Sequence, residues 1–465
     1  MNAPTIWIIL PAVIAVLLML INNQRALSLI GGGTAILLAI FAQFVPIEEA
    51  FRLNTLSFKI ESSMNVLGRS LLIQPEEGTL LALIYGSAAL WFFGAEASRT
   101  SQKIVPIGLL ITAFMVAAIA VEPFLFAALF IEVAVLLAIP MLTSIYKPPG
   151  KGIIRFLIYQ TLAMPFLLLS GWLLAGVESS PGNLALAAQS ASILGLGFAF
   201  LFAIFPLYNW IPMLLEEAPP FIVGFLLWLL PTITVIFGAG FIDRYSWLRT
   251  SPQLATALQL AGIIMIVTGG LWAAFQRHIG RIMAYGSVAE TGLSLLALSL
   301  DLRLGIPILF LLLPARALTL VVWSFSLTLL KDRSETLRFS SVRGMLRTSP
   351  FASIGLVIAS LSTSGFPLLA GFPSRLALWD SLARVSLVTA LWMGVGIVGM
   401  FIASFRTLAV LSMADEYSSW DVSENLLQGI MLGLGVIGIF VLGLFPQTVQ
   451  YFLSDLPGMF EHLGR

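Results

Sequence analysis

The chain has 465 residues, 59% of them hydrophobic and only 10% charged, with a net charge of +1. A soluble domain carries about 25% charged residues, so most of this surface faces lipid, and the near-neutral balance gives no case for nucleic acid. With no cysteine, disulfides, thiolate metal sites and iron–sulfur clusters are excluded, and the two histidines, His278 and His462, argue against haem or a histidine-rich metal site.

About fourteen apolar segments are long enough to cross a bilayer. In chain order they lie near 5–21, 28–46, 77–95, 104–121, 123–145, 153–177, 185–214, 218–242, 255–275, 279–300, 303–330, 350–373, 383–412 and 427–450. The runs are continuously apolar, whereas barrel strands alternate, so the expected fold is an all-α membrane protein. The first run, Ile6 to Leu20, has no basic residue before it and no small-residue cleavage site after it, so it reads as a helix of the mature protein. Between segments, the longest connections are 47–76, 331–349 and 413–426; the first, with Phe58, Ile60 and Leu71 to Ile73, can hold a short hairpin. No soluble domain or linker interrupts the chain, so 1–465 reads as one membrane domain.

Basic residues set the sidedness. Arg25, Arg99, Lys103, Lys147, Lys151, Arg155, Arg277, Arg281, Lys331, Arg333, Arg338, Arg343 and Arg347 all fall in loops leaving odd-numbered spans. That side is expected to be cytoplasmic, with both termini outside. The loop with Glu216 and Glu217 is the acidic exception. Asp243, Asp301, Asp415, Glu416, Asp421 and Glu424 read as solvated loop residues.

Two segments repeat a pattern. Phe205-Pro206-Leu207 leads to Pro212, and Phe366-Pro367-Leu368 leads to Pro373. Two prolines six apart in an apolar segment break a helix, because each removes a donor and crowds the previous turn. Broken helices at corresponding places in two halves point to a transport pathway, and Ser364, Gly365 and Gly371 reinforce the second break.

On these residues the chain resembles the antiporter-like subunits of respiratory complex I, with membrane-bound hydrogenase subunits and Mrp-type antiporters. Pro206-Leu207-Tyr208-Asn209-Trp210-Ile211-Pro212 with Glu217-Ala218-Pro219 is similar to the family's P-L-H-x-W-L-P…E-A-P. Gln276 to Ser287, Gly365 to Arg375, and Phe130-Ile131-Glu132 to Pro140 match three further family segments in order. The resemblance implies fourteen helices and two inverted five-helix repeats, each with a broken helix, over 104–250 and 251–412. N-terminal helices and a loop over 1–103 and a C-terminal helix over 413–465 flank them.

It also implies proton-path candidates. Intramembrane charges are costly and functional by default. Glu132 occupies the family's glutamate position, but its lysine partner's position reads Leu201. A second family lysine aligns with Gly280, beside His278 and Arg281. Glu290 lies near a family histidine, with an ion pair to Arg316 as the plain alternative to a relay role. Arg316 and Arg375 stand where the family carries lysine, or Lys/Glu. The five lysines, Lys59, Lys103, Lys147, Lys151 and Lys331, read as loop residues. Arginine does not deprotonate in proteins, so a lysine-based hopping chain is absent.

Three functions compete. The first is an ion-translocating subunit with other membrane and peripheral subunits of a complex I-like assembly as partners, its redox chemistry residing in them, and no cofactor of its own. The second is a non-pumping scaffold of the same fold, and the third a stand-alone cation/proton antiporter. A bacterial plasma membrane, or a thylakoid, is the expected location.

Overall fold

The computed structural model describes residues 2–53, 56–66, 68–143, 148–179, 183–413, 420 and 422–463. Lys147, Asp415, Glu416 and Asp421 lie outside the described residues. Where lipid offers no hydrogen-bonding partner, an apolar run must satisfy its own backbone, and each of these runs does so as a helix.

The helices are α1 (Leu10–Leu18, continuing a π-turn at Thr5–Ile9), α2 (Gln24–Phe44), α3 (Gly78–Ala97), α4 (Ile104–Ala120), α5 (Ala127–Leu142) and α6 (Lys151–Ser179). Then come α7 (Leu184–Leu201), α8 (Trp210–Glu217), α9 (Pro220–Arg244), α10 (Ser246–Arg249), α11 (Pro252–Phe275) and α12 (Ile279–Ser299). The last are α13 (Leu302–Arg333), α14 (Pro350–Ser364), α15 (Gly371–Val385), α16 (Leu387–Ser412), α17 (Leu426–Leu444) and α18 (Pro446–Phe452). Among the described residues, 10 helices are long and apolar enough to cross a membrane, and four shorter apolar ones complete the fourteen segments read from the sequence. This is an integral membrane protein. Its centre is α9 and α12, whose spans are 94% and 89% buried, while α17 at 17% is peripheral.

The loop before α3 holds two hairpins rather than one. Strand β1 (Ala50–Leu53) pairs with β2 (Leu56–Lys59), and β3 (Ser63–Val66) with β4 (Arg69–Leu72), to which β5 (Val121–Glu122) adds an edge. Gly68, at φ +74°, makes the tight β3–β4 turn. Arg69 lies 3.8 Å over the Phe126 ring, tying this cap to the loop after α4.

Both proline-marked segments are broken. The first helix stops at Leu201, passes through Pro206 and a 3₁₀ turn at Leu207–Asn209, and restarts as α8. The second stops at Ser364, where Gly365 adopts φ +78°, passes Pro367, and restarts as α15. Only the first proline of each pair lies in the break. Pro212 and Pro373 sit in the opening turn of the restarted helix, where a missing N–H costs nothing. The span expected at 350–373 therefore continues to Val385.

Contacts sort the loops onto two faces. On one, Gln24 donates to Ala95 and Thr100, Gln428 to Ala97, and Lys331 to Ala218, while Ile279 N donates to Leu337 O. On the other, Asn2 donates to Ser63 and β4 pairs with β5. The basic loops thus share one face. Three of the lysines belong to regular elements: Lys59 ends β2, Lys151 opens α6 and Lys331 lies in the last turn of α13. None reaches the interior.

Candidate proton-path residues

The core of the second half holds an ion pair. Glu290 stands three turns into α12 and Arg375 in the second turn of α15; each is 4% exposed. Arg375 Nη2 donates to Glu290 Oε1, and its Nη1 to the Gly371 carbonyl at 2.9 Å. The break is shaped around this guanidinium. A Cβ at Gly365 would meet Arg375 Cδ at 2.7 Å, and one at Gly371 would lie 2.0 Å from the Ser362 carbonyl. A direct ion pair of Glu290 with Arg316 is not formed: α15 brings Arg375 onto Glu290, and Arg316, within Coulombic reach of that carboxylate, donates to its neighbour Thr291 instead.

Arg316, 2% exposed on α13, donates Nη2 to the Leu227 carbonyl at 3.0 Å and to Thr291 Oγ1 at 3.2 Å. Pro231, inside α9, has no N–H to give the carbonyl four residues earlier, so Leu227 is left for Arg316 to satisfy. Arg316 Nε and Nη1 have no partner among the described residues. Arg316 lines a cavity of about 20 Å³ with Ser287, Thr291, Gln160, Leu201, Phe202 and Ala203. A water-sized site needs about 10–15 Å³, so the cavity has room for roughly one. From the first half, Gln160 Nε2 donates to the Phe200 and Leu201 carbonyls at the end of α7, 3.4 Å each. Leu201, in place of the expected lysine, walls this cavity.

Glu132, half-buried on α5, accepts from Thr161 Oγ1 at 2.9 Å, and its Oε2 has no partner among the described residues. Thr161 is the α6 neighbour of Gln160, so one turn of one helix touches both Glu132 and the end of α7.

His278 and Arg281 stand apart, on the basic face. His278 caps α12, its Nδ1 accepting from Arg281 N at 3.3 Å. Burial pushes its pKa down, with Glu216 opposing and Arg281 reinforcing the shift. Arg281 grips Glu216 through Nε at 2.6 Å and Nη2 at 2.9 Å. Gly280 packs beside the His278 ring.

The acidic residues expected in solvated loops mostly hold backbone. Glu217 caps α6 by accepting from Gly152 and Ile153 N–H, and Glu424 caps α14 through Phe351 and Ala352 N–H. Asp301 caps α13, and Asp243 binds the N–H groups of Glu461, His462 and Leu463. Sequence reasoning missed Gln160, Thr161 and Thr291; the mid-helix Pro231, with its orphaned carbonyl, was the available signal.

Residues 154–403 match the family described as NADH:quinone oxidoreductase/Mrp antiporter, transmembrane region. The NADH-quinone oxidoreductase subunit N of Thermobifida fusca is 26% identical over 265 residues, 56% of this chain and 48% of that protein. The subunit N of Mycobacterium tuberculosis is 26% identical over 395 residues, covering 76% and 71%. The matched region thus spans about half the length of the first relative and more of the second. Among solved structures, a chain of Thermus thermophilus respiratory complex I superposes with a TM-score of 0.78 at 20% identity, covering 99% of both chains. Chains of an archaeal membrane-bound sulfane sulfur reductase (TM-score 0.83, 18% identity, 100% and 98% covered) and of the Dietzia Mrp complex (0.80, 15%, 98% and 96%) share the fold. With the family matched over more than half its length and the fold shared end to end, this chain belongs to the NADH:quinone oxidoreductase/Mrp antiporter transmembrane family.

Proposed function

We propose that the chain is an antiporter-like membrane subunit of a complex I-type assembly, contributing to proton translocation coupled to electron transfer in partner subunits. The relatives named as subunit N support the assembly, and the inner polar groups support the role. The observation that carries it is the Glu290–Arg375 pair at the second helix break, since a charge pair at membrane depth is retained at a cost. Arg316, Thr291 and the small cavity extend it to Gln160 and the first break. Arginine keeps its proton, so in this reading Glu290 and Glu132 carry protons, while Arg316 and Arg375 hold the carboxylates and water in place. A proton reaching Glu290 cancels its attraction to Arg375, so a partner that displaces α15 shifts the same equilibrium. His278, Arg281 and Glu216 would serve the entrance from the basic face. We read 104–250 and 251–412 as the two five-helix repeats, flanked by 1–103 and 413–465; one broken helix in each supports the division. The basic face is assigned to the cytoplasm and both termini to the outer side of a bacterial plasma membrane, or of a thylakoid.

A scaffold without a path is the second reading, favoured by Leu201 and Gly280 at the family's lysine positions. A stand-alone antiporter is the third. Gentle detergent extraction of the tagged chain separates assembly from isolation. Co-purifying quinone-reductase or hydrogenase-type subunits are expected. Recovery of the chain alone as a stable particle would overturn the reading in favour of the antiporter.

A further inference from the structure

The geometry points to an anionic phospholipid site on the basic face, at the junction of α11, α12 and the segment after α13. A short antiparallel bridge joins His278 to Arg338, with Ile279 N donating to Leu337 O and Phe339 N to Arg277 O, 2.9 Å each. The bridge brings Arg277, Arg281 and Arg338 to one open pocket of about 570 Å³, which also contains Glu216 and Ser340. Glu216 is consumed by Arg281. Arg277 and Arg338 are exposed, and their guanidiniums make no hydrogen bond or ion pair among the described residues. Two free guanidiniums in one pocket suit a phosphate, which each can bind with paired N–H donors.

The membrane side of the pocket indicates that the phosphate belongs to a lipid. The last turn of α11, which leads straight into Gln276 and Arg277, exposes Leu271, Trp272 and Phe275, the last at 74%. Trp272 has the amphipathic ring that favours the headgroup boundary, and Phe275 beside it is wholly apolar. Arg406 donates to the Ala274 carbonyl and stacks 5.5 Å from Phe339, fixing this helix end against the pocket. An apolar wall for acyl chains thus meets a cationic cup for the headgroup, the arrangement expected of a basic site at the cytoplasmic leaflet. The pocket shares Arg281 and Glu216 with the proposed entrance from the basic face, but its test reads lipid binding and not proton movement, so either reading can fail without the other.

The test uses the purified full chain, delipidated in detergent and titrated with phosphatidylglycerol or phosphatidylcholine under native mass spectrometry. Selective retention of phosphatidylglycerol is expected. The double variant Arg277→Gln/Arg338→Gln should weaken it roughly thirty-fold, at the usual contribution of a basic residue near an anionic surface. Phe275→Ser should weaken lipid binding but leave inorganic phosphate binding unchanged. Equal retention of both lipids, or wild-type affinity in the double variant, overturns the site. Displacement of the lipid by millimolar inorganic phosphate overturns the lipid assignment and leaves a free-anion site. A photo-crosslinker at Ser340 in native membranes should label lipid; labelling an acidic polypeptide instead would overturn the inference.

Discussion

Glu290 and Arg375 are buried together, so each depends on the other. Removing one partner of a buried pair typically costs about 3–5 kcal/mol, because the survivor is left charged and unsatisfied. Glu290→Gln is therefore expected to lower stability by roughly that amount, and Glu290→Gln/Arg375→Met to recover most of it. Thermal unfolding of the four proteins in detergent completes the cycle. Recovery by the double variant is the signature of pairing, and additive losses would contradict it. His278 offers a pH readout on the basic face. Burial disfavours its charged form in the fold, so the unfolded chain binds the extra proton first. Stability from this site should therefore fall as pH drops below the ordinary histidine value of about 6.5. His278→Asn should flatten that slope in melting curves between pH 7 and pH 5. Every buried charge here was legible as an intramembrane ionisable residue. Its partner was not, because Arg316 and Arg375 are equally plausible until α15 is seen to enter beside Glu290. The orientation of Arg316 follows from Pro231, on a third helix, through an orphaned carbonyl that no linear spacing displays.

At the level of elements, both breaks follow from their prolines, while the restart does not. Proline ends a helix in one position and begins one in another, so the same residue type at Pro206 and Pro212 does opposite things. The second break also depends on Gly371, whose missing side chain lets α15 lie against the Ser362 carbonyl. Gly371→Ala should force the two halves apart and lower stability by about 1–3 kcal/mol, as overpacking does. Pro373→Ala, in the opening turn, should cost less than 1 kcal/mol. Unfolding midpoints compare the two directly. Acidic residues near helix starts were the least legible class. Glu217 and Glu424 look like solvated charge in sequence, yet each satisfies two backbone donors at the start of a helix remote in the chain.

Across the whole molecule, hydropathy and the basic-loop bias were enough to place fourteen segments and two faces, because lipid imposes one solution on each apolar run. Which helices form the centre was less legible: α9 is apolar almost throughout, as are peripheral spans, while α12 carries Ser287, Glu290, Thr291 and Ser294, and only packing shows that both are central. Cysteines introduced at Ser340 and Ser454 should react with an impermeant reagent from opposite sides of the membrane, Ser340 from the cytoplasm.

Glu290 is proposed to take up and release a proton during turnover. The most direct measurement is the number of protons moved per electron pair in proteoliposomes of the intact assembly carrying Glu290→Gln/Arg375→Met. The double variant removes one charge of each sign and leaves the interior's net charge unchanged, so assembly and electron transfer should persist. A lower proton yield at an unchanged assembly level is expected, with little loss in a control variant at the exposed Arg303. An unchanged yield would contradict it and leave the chain a scaffold.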